Sequence, residues 1–323
     1  MLFVQSATAQ AQALGTDLLI YTVDVEGGQA TLLVGPAGSS LLVDAGWPGK
    51  NGRDVERIRD AMKDAGIIKI DKLLTTNYHT DHVGGMPELV KRVKVDEFLD
   101  HGDNREDSER ADYAAYLKYK GAMSHRVVHP GDAINLRGLD IVVLASDGEQ
   151  IRAVPGIKPT PNSYCVSEPR RDLDRTEDAR SAGILVRFGK FSFLDLGDLT
   201  KAKELPLVCP ENLIGHVDLY LVNHHGSNLR PAEETISGPL LELVPGLFHV
   251  LGRCLGEHGH PALTRTLHRH RRYLLAAESF LATSSSSRTT WYLPSSAGTN
   301  PPTHAPISLN ASGCRAFIVV SDS

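Results

Sequence analysis

The chain has only four cysteines among 323 residues, Cys165, Cys209, Cys254 and Cys314, and none falls in a Cys-x-x-Cys pair. That sparse spacing argues against a disulfide framework and against a cysteine zinc site. No apolar run approaches the ~20 residues that cross a bilayer, so no membrane partner is expected. There is no excess of positive charge either. The formal net charge is −5, which gives no general attraction to nucleic acid but leaves room for a local basic groove. Lysine is missing from everything after Lys203.

What is present most distinctly is the run Thr75-Thr76-Asn77-Tyr78-His79-Thr80-Asp81-His82-Val83-Gly84-Gly85, directly after Leu73-Leu74. It places two imidazoles and a carboxylate within four residues, just past a strand end. These are ligand types of borderline metals such as zinc. The two glycines allow a tight turn, so that neighbouring side chains converge.

The order of elements can be read in outline. Residues 18–25, 30–34 and 40–44 read as strands with Gly-rich turns between them. Residues 53–65 have helical spacing, with Val55, Ile58, Met62 and Ala65 on one side. Residues 72–76 are a short buried strand, 86–91 open a helix, 95–99 are a strand, 107–120 a surface helix and 140–145 a strand. Residues 146–181 are polar and lack periodicity, as a functional or disordered loop does. Residues 183–188 and 191–196 flank Gly189-Lys190 as a hairpin, and 219–222 form the last clear core strand. Strands and helices in this order predict an α/β fold of two mixed sheets sandwiched between helices.

Three segments follow. Residues 1–17 form a leader whose small residues, Ala7, Ala9, Ala11 and Ala13 among them, resemble a signal-peptide cleavage region, although the apolar core before them is too short for export. Two readings stay open: a truncated signal, with the protein periplasmic or secreted, or a disordered leader, with the protein cytoplasmic. Residues 18–228 form the main domain. Residues 229–323 are an atypical tail, which either completes the second half of the sandwich or is partly disordered. Its His268-Arg269-His270-Arg271-Arg272 and Ser284-Ser285-Ser286-Ser287 runs are locally biased. One hypothesis is a departure from the ancestral reading frame after Ser227, which resequencing the gene tests. The basic run reads as a solvated face rather than a nucleic-acid patch. Cys254, His258 and His260 lack the scaffold of a second metal cluster.

The His79-Thr80-Asp81-His82 run resembles the His-x-His-x-Asp-His signature of the metallo-β-lactamase superfamily, with Asn77 in its first position. Three further stretches match in order: Leu41-Leu42-Val43-Asp44-Ala45-Gly46, Phe193-Leu194-Asp195-Leu196-Gly197-Asp198, and Leu221-Val222-Asn223-His224-His225-Gly226-Ser227. Val23-Asp24-Val25-Glu26-Gly27-Gly28-Gln29-Ala30 and the His-His-Gly-Ser ending are similar to the hydrolase domain of ComEC-type DNA-uptake proteins. The resemblance covers roughly residues 18–228 and implies an αββα four-layer sandwich.

It also implies a site. Asp81 and His82 would bind one metal with a late histidine, His224 or His225. Strand alternation favours only one of the two. Asp198 would bridge two metals. The other metal would keep His79, while Asn77 replaces a histidine with a poor zinc ligand. Asp178, three residues before Ser181, would add an oxygen. One or two zinc ions are implied, with manganese also suited to an oxygen-rich first site. Zn²⁺ lowers the pKa of water to about 7, making hydroxide available, and Asp81 or Asp198 would orient it and accept its proton. Asp44, Asn77 and Ser181 would support the ligands from behind.

The expected activity is metal-dependent hydrolysis, of phosphodiesters by the branch resemblance. The alternatives are a lactone or β-lactam hydrolase with the same site, since one nucleophile serves either small-molecule electrophile, and a vestigial, non-catalytic binding module, which Asn77 and the tail favour.

Overall fold

The structure is a computed structural model that describes residues 16–106, 110–167, 174–226 and 240, together with the backbone of Arg288–Trp291, Ile307–Ala311 and Arg315–Ser321. The first sheet is built from β1 (Asp17–Val23), β2 (Thr31–Val34), β3 (Ser40–Val43), β4 (Lys69–Leu74), β5 (Lys94–Asp100) and β6 (Ser124–Val127) in chain order. β1, β2 and β3 pair antiparallel, and β3 to β6 run parallel. The second sheet holds β7 (Asp140–Ser146), β8 (Glu149–Gln150), β10 (Gly183–Phe188), β11 (Phe191–Asp195) and β13 (Leu219–Leu221), in the order β13-β11-β10-β7-β8. A small separate ladder joins β9 (Thr160–Pro161) to β12 (Glu211–Asn212).

Alternation along the strands makes three apolar layers. Leu19, Tyr21 and Val23 of β1 face helices α1 (Arg53–Asp64) and α4 (Ala111–Lys120), packing with Val55, Ile58, Met62, Tyr113 and Tyr116. Leu18 and Ile20 of the same strand face the second sheet, against a layer that includes Ile141, Val143, Ile184, Val186 and Phe193. Val142, Leu144, Leu185 and Leu194 point out of the far side of that sheet and are covered by Leu207 and Val208 of α5 (Lys201–Val208). The result is the expected αββα arrangement. Burial of apolar surface at about 25 cal/mol per Å² is what drives it.

Several elements differ from the sequence reading. The strand expected at 72–76 begins at Lys69 and ends at Leu74, leaving Thr75 and Thr76 as a buried loop entry. The metal loop itself winds into a short helix, α2 (Thr80–Val83), followed by α3 (Met86–Leu89). The helix expected from residue 107 begins at Ala111, and residues 107–109 lie outside the described residues. The 146–181 loop contains β8, β9 and two 3₁₀ turns, Ser163–Ser167 and Asp178–Arg180. Its polarity hid the short hairpin of β7 with β8 and the pairing of β9 with distant β12.

One correction is larger. Cys165 and Cys209 form a disulfide across 44 residues, against the expectation of none. The β9–β12 ladder and the hydrogen bond from Asn162 Nδ2 to Val208 O, 2.9 Å, bring the two segments together, and no local spacing encodes that contact. The tail places Leu240 in the apolar layer behind the second sheet. Its described strands, β14 (Arg288–Trp291), β15 (Ile307–Ala311) and β16 (Arg315–Ser321), extend the first sheet, with β16 antiparallel to β1 from Asp17↔Ser321 to Val23↔Arg315. The leader residues 1–15 and the biased runs at 268–272 and 284–287 lie outside the described residues.

Candidate metal centre

The carboxyl ends of β3, β4, β5, β11 and β13 open on one edge of the sandwich, where strand-end loops meet, as ligand sites of α/β sheets do. Asp44 follows β3, the His79–His82 run follows β4, His101 follows β5, Asp198 follows β11, and His224 and His225 follow β13. The loops approach closely enough to require glycine. A Cβ on Gly28 would sit 2.4 Å from the Asp81 carbonyl oxygen, and one on Gly85 would sit 2.0 Å from that of Ala45. Backbone bonds lock the same approach: Gln29 N donates to Asp81 O at 3.1 Å and Ala45 N to His82 O at 2.8 Å.

Every predicted site residue falls in or beside this edge. Asp81, His82 and His225 place one ligand atom each within 4.8 Å of the others, and so do His79, Asp178 and Asp198. Asp198 also reaches the other group. Its Oδ2 is 3.0 Å from His82 Nε2, and its Oδ1 is 3.6 Å from His225 Nε2. His224 is turned toward the other side, with Nε2 3.9 Å from carboxylate oxygens of both Asp178 and Asp198. The alternation argument for choosing between His224 and His225 therefore fails. The strand ends at Leu221, and both histidines sit in a 3₁₀ turn with φ of 49° and 54°, a left-handed conformation uncommon for non-glycine residues. Each ring addresses a different pair of carboxylates.

The donor geometry fits cations better than it fits hydrogen bonds. His79 Nδ1 is 2.8 Å from Asp178 Oδ1, and His225 Nε2 is 3.1 Å from Asp81 Oδ2. Yet Asp178 Oδ1, Asp198 Oδ1 and His225 Nε2 are buried and form no aligned hydrogen bond among the described residues. Buried polar atoms are otherwise almost always satisfied. Donor atoms that crowd together without pairing, on imidazoles and carboxylates, are what divalent metals take.

The supporting residues are also in place. His82, fully buried, donates or accepts through Nδ1 with Asp44 Oδ2 at 2.7 Å. Asp44 in turn accepts from Thr76 N at 2.8 Å and from Thr76 Oγ1 at 2.6 Å. Asn77 is fully buried, and its Oδ1 accepts the His79 N–H at 2.9 Å. The amide in the family's first histidine position thus shapes the loop backbone. Ser181 Oγ accepts the Asp198 N–H at 3.2 Å.

Charge and burial compete throughout. Burial opposes the charge on His82, but Asp198, Asp81 and Asp44 outweigh it and hold the imidazole well above its ordinary pKa. Burial opposes the charge on His225 too, and Asp198 and Asp81 outweigh it. His79 is raised by Asp178 against the same burial cost. Conversely, burial pushes Asp198 upward, but His82 and His225 hold its carboxyl far below the usual range. Buried side by side, the imidazoles and carboxylates hold one another in their charged forms.

The sequence reading missed four residues. Thr76 bridges Asp44 to the metal loop. Gln29 Nε2 donates to both oxygens of buried Asp195, at 3.0 and 3.1 Å. Glu177 and His101 form a buried pair at 2.7 Å. Gln29 lies inside a quoted motif, whereas Glu177 and His101 carry no local signal. Cys254, His258 and His260 lie outside the described residues.

A sequence profile for the metallo-beta-lactamase superfamily matches residues 23–203. No curated protein sequence matches the chain. Among solved structures, the chain resembles the metallo-beta-lactamase SMB-1 bound to 2-mercaptoethanesulfonate, at 16% identity and a TM-score of 0.42, over 64% of this chain and 76% of that one. It also resembles the metallo-beta-lactamase fold protein YhfI from Bacillus subtilis, at 14% identity and a TM-score of 0.38, over 64% and 70%. A third likeness is to CmlA, a diiron beta-hydroxylase from Streptomyces venezuelae, at 19% identity and a TM-score of 0.37, over 64% and 34%. The family match, not these distant likenesses, carries the assignment.

Proposed function

The chain belongs to the metallo-beta-lactamase superfamily, a family of metal-dependent hydrolases, and from that premise we propose that it hydrolyses phosphodiesters at a two-metal centre. The observation that carries the reading is the pair of three-donor groups, Asp81, His82 and His225 on one side and His79, Asp178 and Asp198 on the other, with Asp198 reaching both. Two adjacent cations suit an in-line displacement at phosphorus, in which attacking and leaving oxygens both need stabilising. The similarity of residues 23–30 and of His224-His225-Gly226-Ser227 to the hydrolase domain of ComEC-type proteins favours the same substrate class.

Zinc fits the imidazole-rich group, and zinc or manganese fits the group with two carboxylates. When bound, such cations supply a water acidic enough to ionise near neutral pH and a Lewis acid for the developing charge. The chain's own residues do the rest. Asp44 fixes the ring plane of His82, and Asn77 fixes the backbone that presents His79. Asp81 or Asp198, both ionised in spite of their burial, would orient the attacking water and accept its proton. His224, on the Asp178 side, completes the group that holds a single imidazole.

The test is a side-by-side assay of metal-free and reloaded protein on bis(p-nitrophenyl) phosphate, single-stranded DNA, nitrocefin and an acyl-homoserine lactone. The expected result is phosphodiester cleavage that chelation abolishes, that zinc or manganese restores, and that His82→Ala lacks. Turnover of only the lactone or nitrocefin would move the substrate to a carbonyl. Protein that binds no metal and turns over nothing would leave a binding module.

A further inference from the structure

Behind the His79 side of the centre lies a buried pair that the proposed chemistry does not use. His101 and Glu177 are both almost fully inaccessible, and His101 Nε2 lies 2.7 Å from Glu177 Oε1. The same oxygen accepts the backbone N–H of Tyr78 at 3.1 Å. Tyr78 immediately precedes His79, and Glu177 immediately precedes Asp178. One carboxylate oxygen therefore ties together the backbone positions that carry the two donors sitting 2.8 Å apart.

The surroundings fix this tie from all sides. The Tyr78 ring packs on His101 at 4.6 Å, on Tyr113 at 4.5 Å and on Tyr116 at 5.5 Å between centroids. Its hydroxyl donates to the Gly102 carbonyl. The Glu177 N–H donates to Glu106. His101 follows β5 and Glu177 precedes β10, so the tie spans both sheets. Stability alone gives little reason for such a pair, since apolar residues of equal volume usually serve a core as well or better. His101 Nδ1 and Glu177 Oε2 even lack hydrogen-bond partners among the described residues.

We infer that Glu177, held by His101, is a positioning residue that sets the distance between His79 and Asp178 and so governs cation binding on that side alone. The inference rests on the two-metal reading above. Outer groups that orient metal ligands typically change affinity by about 10–100-fold when removed.

The experiment is a titration of metal-free protein with cobalt(II), following the visible absorption of each bound ion and counting ions by elemental analysis. Glu177→Ala should bind one ion as the wild type does and the other at least about tenfold more weakly, with the spectrum of the second ion altered. Glu177→Gln, which keeps an oxygen facing the Tyr78 N–H, should restore most of that affinity. A purely structural role would lower the melting temperature of the metal-free protein and leave the ratio of the two affinities unchanged. If Glu177→Ala does not fold, His101→Phe, which keeps the ring volume but removes the Nε2 contact, decides in the same titration. A folded variant that takes up both ions as the wild type does overturns the tie alone. A wild type that takes up no cobalt overturns the two-metal reading, and this inference with it.

Discussion

Asp44 Oδ2 lies 2.7 Å from His82 Nδ1, across 38 residues and at zero side-chain exposure for both. The contact leaves His82 Nε2 free to face Asp198 and Asp81, at 3.0 and 3.7 Å. Asp44→Asn keeps the shape but removes the charge that holds the ring. Metal affinity on the His82 side should fall about 10–100-fold, measured by competition with a chromogenic chelator. Unchanged affinity would reduce Asp44 to a turn residue.

The two consecutive histidines should not be equivalent. His225 stands with Asp81 and His82, whereas His224 only approaches Asp178 and Asp198, at 3.9 Å. His225→Ala should lose the ion on the His82 side and reduce turnover by more than the roughly 10–100-fold typical of outer partners. His224→Ala should act on the other ion, and less severely. Metal counts on the two purified variants separate these outcomes, and the reverse ranking would refute the pairing.

Asp195 supplies a pH test that needs no metal. Burial pushes its carboxyl up to about 7, partly offset by the Gly197 N–H, with the Asp44 charge adding to the rise. The folded protein thus keeps a proton that the unfolded chain releases near pH 4. Stability should fall as pH rises from about 4 to about 7, by up to about 1.4 kcal/mol per pH unit. The raised imidazoles of His79, His82 and His225 lose their own contribution only above about pH 6.5. Between about pH 4.5 and 6, urea melts of metal-free Asp195→Asn should therefore be flatter than those of the wild type. Parallel slopes would mean that Asp195 ionises normally.

The disulfide gives a fourth prediction. A non-reducing digest should yield a peptide pair linking Cys165 to Cys209. Cys165→Ser should lower stability by about 2–4 kcal/mol, because the open chain regains the freedom that a cross-link over 44 residues removes. Equal melting temperatures with and without reductant would contradict it.

The fold was legible in proportion to how local its signals were. Asp81 and His82 are adjacent in sequence, and β10 and β11 meet across a two-residue turn, so neighbours alone reveal them. The parity of Leu18, Leu19, Ile20 and Tyr21 likewise announces a strand buried on both faces. The choice between His224 and His225 was not legible, because it depends on where β13 stops. The Cys165–Cys209 link depends on β9 finding β12, and Glu177 gains its meaning only from Tyr78, 99 residues away. The strands of the tail were not legible for the same reason. Strand β16 carries no motif, and its place is set by complementarity to β1 rather than by composition.

That last pairing has a practical corollary. Without residues 315–321, the amide and carbonyl groups that alternate residues of β1 direct at β16 would lie bare along one side, an open template for another chain to join. Shortening the protein to its motif-bearing portion at residue 228 would keep every proposed ligand, yet would turn a covered interior strand into an adhesive margin.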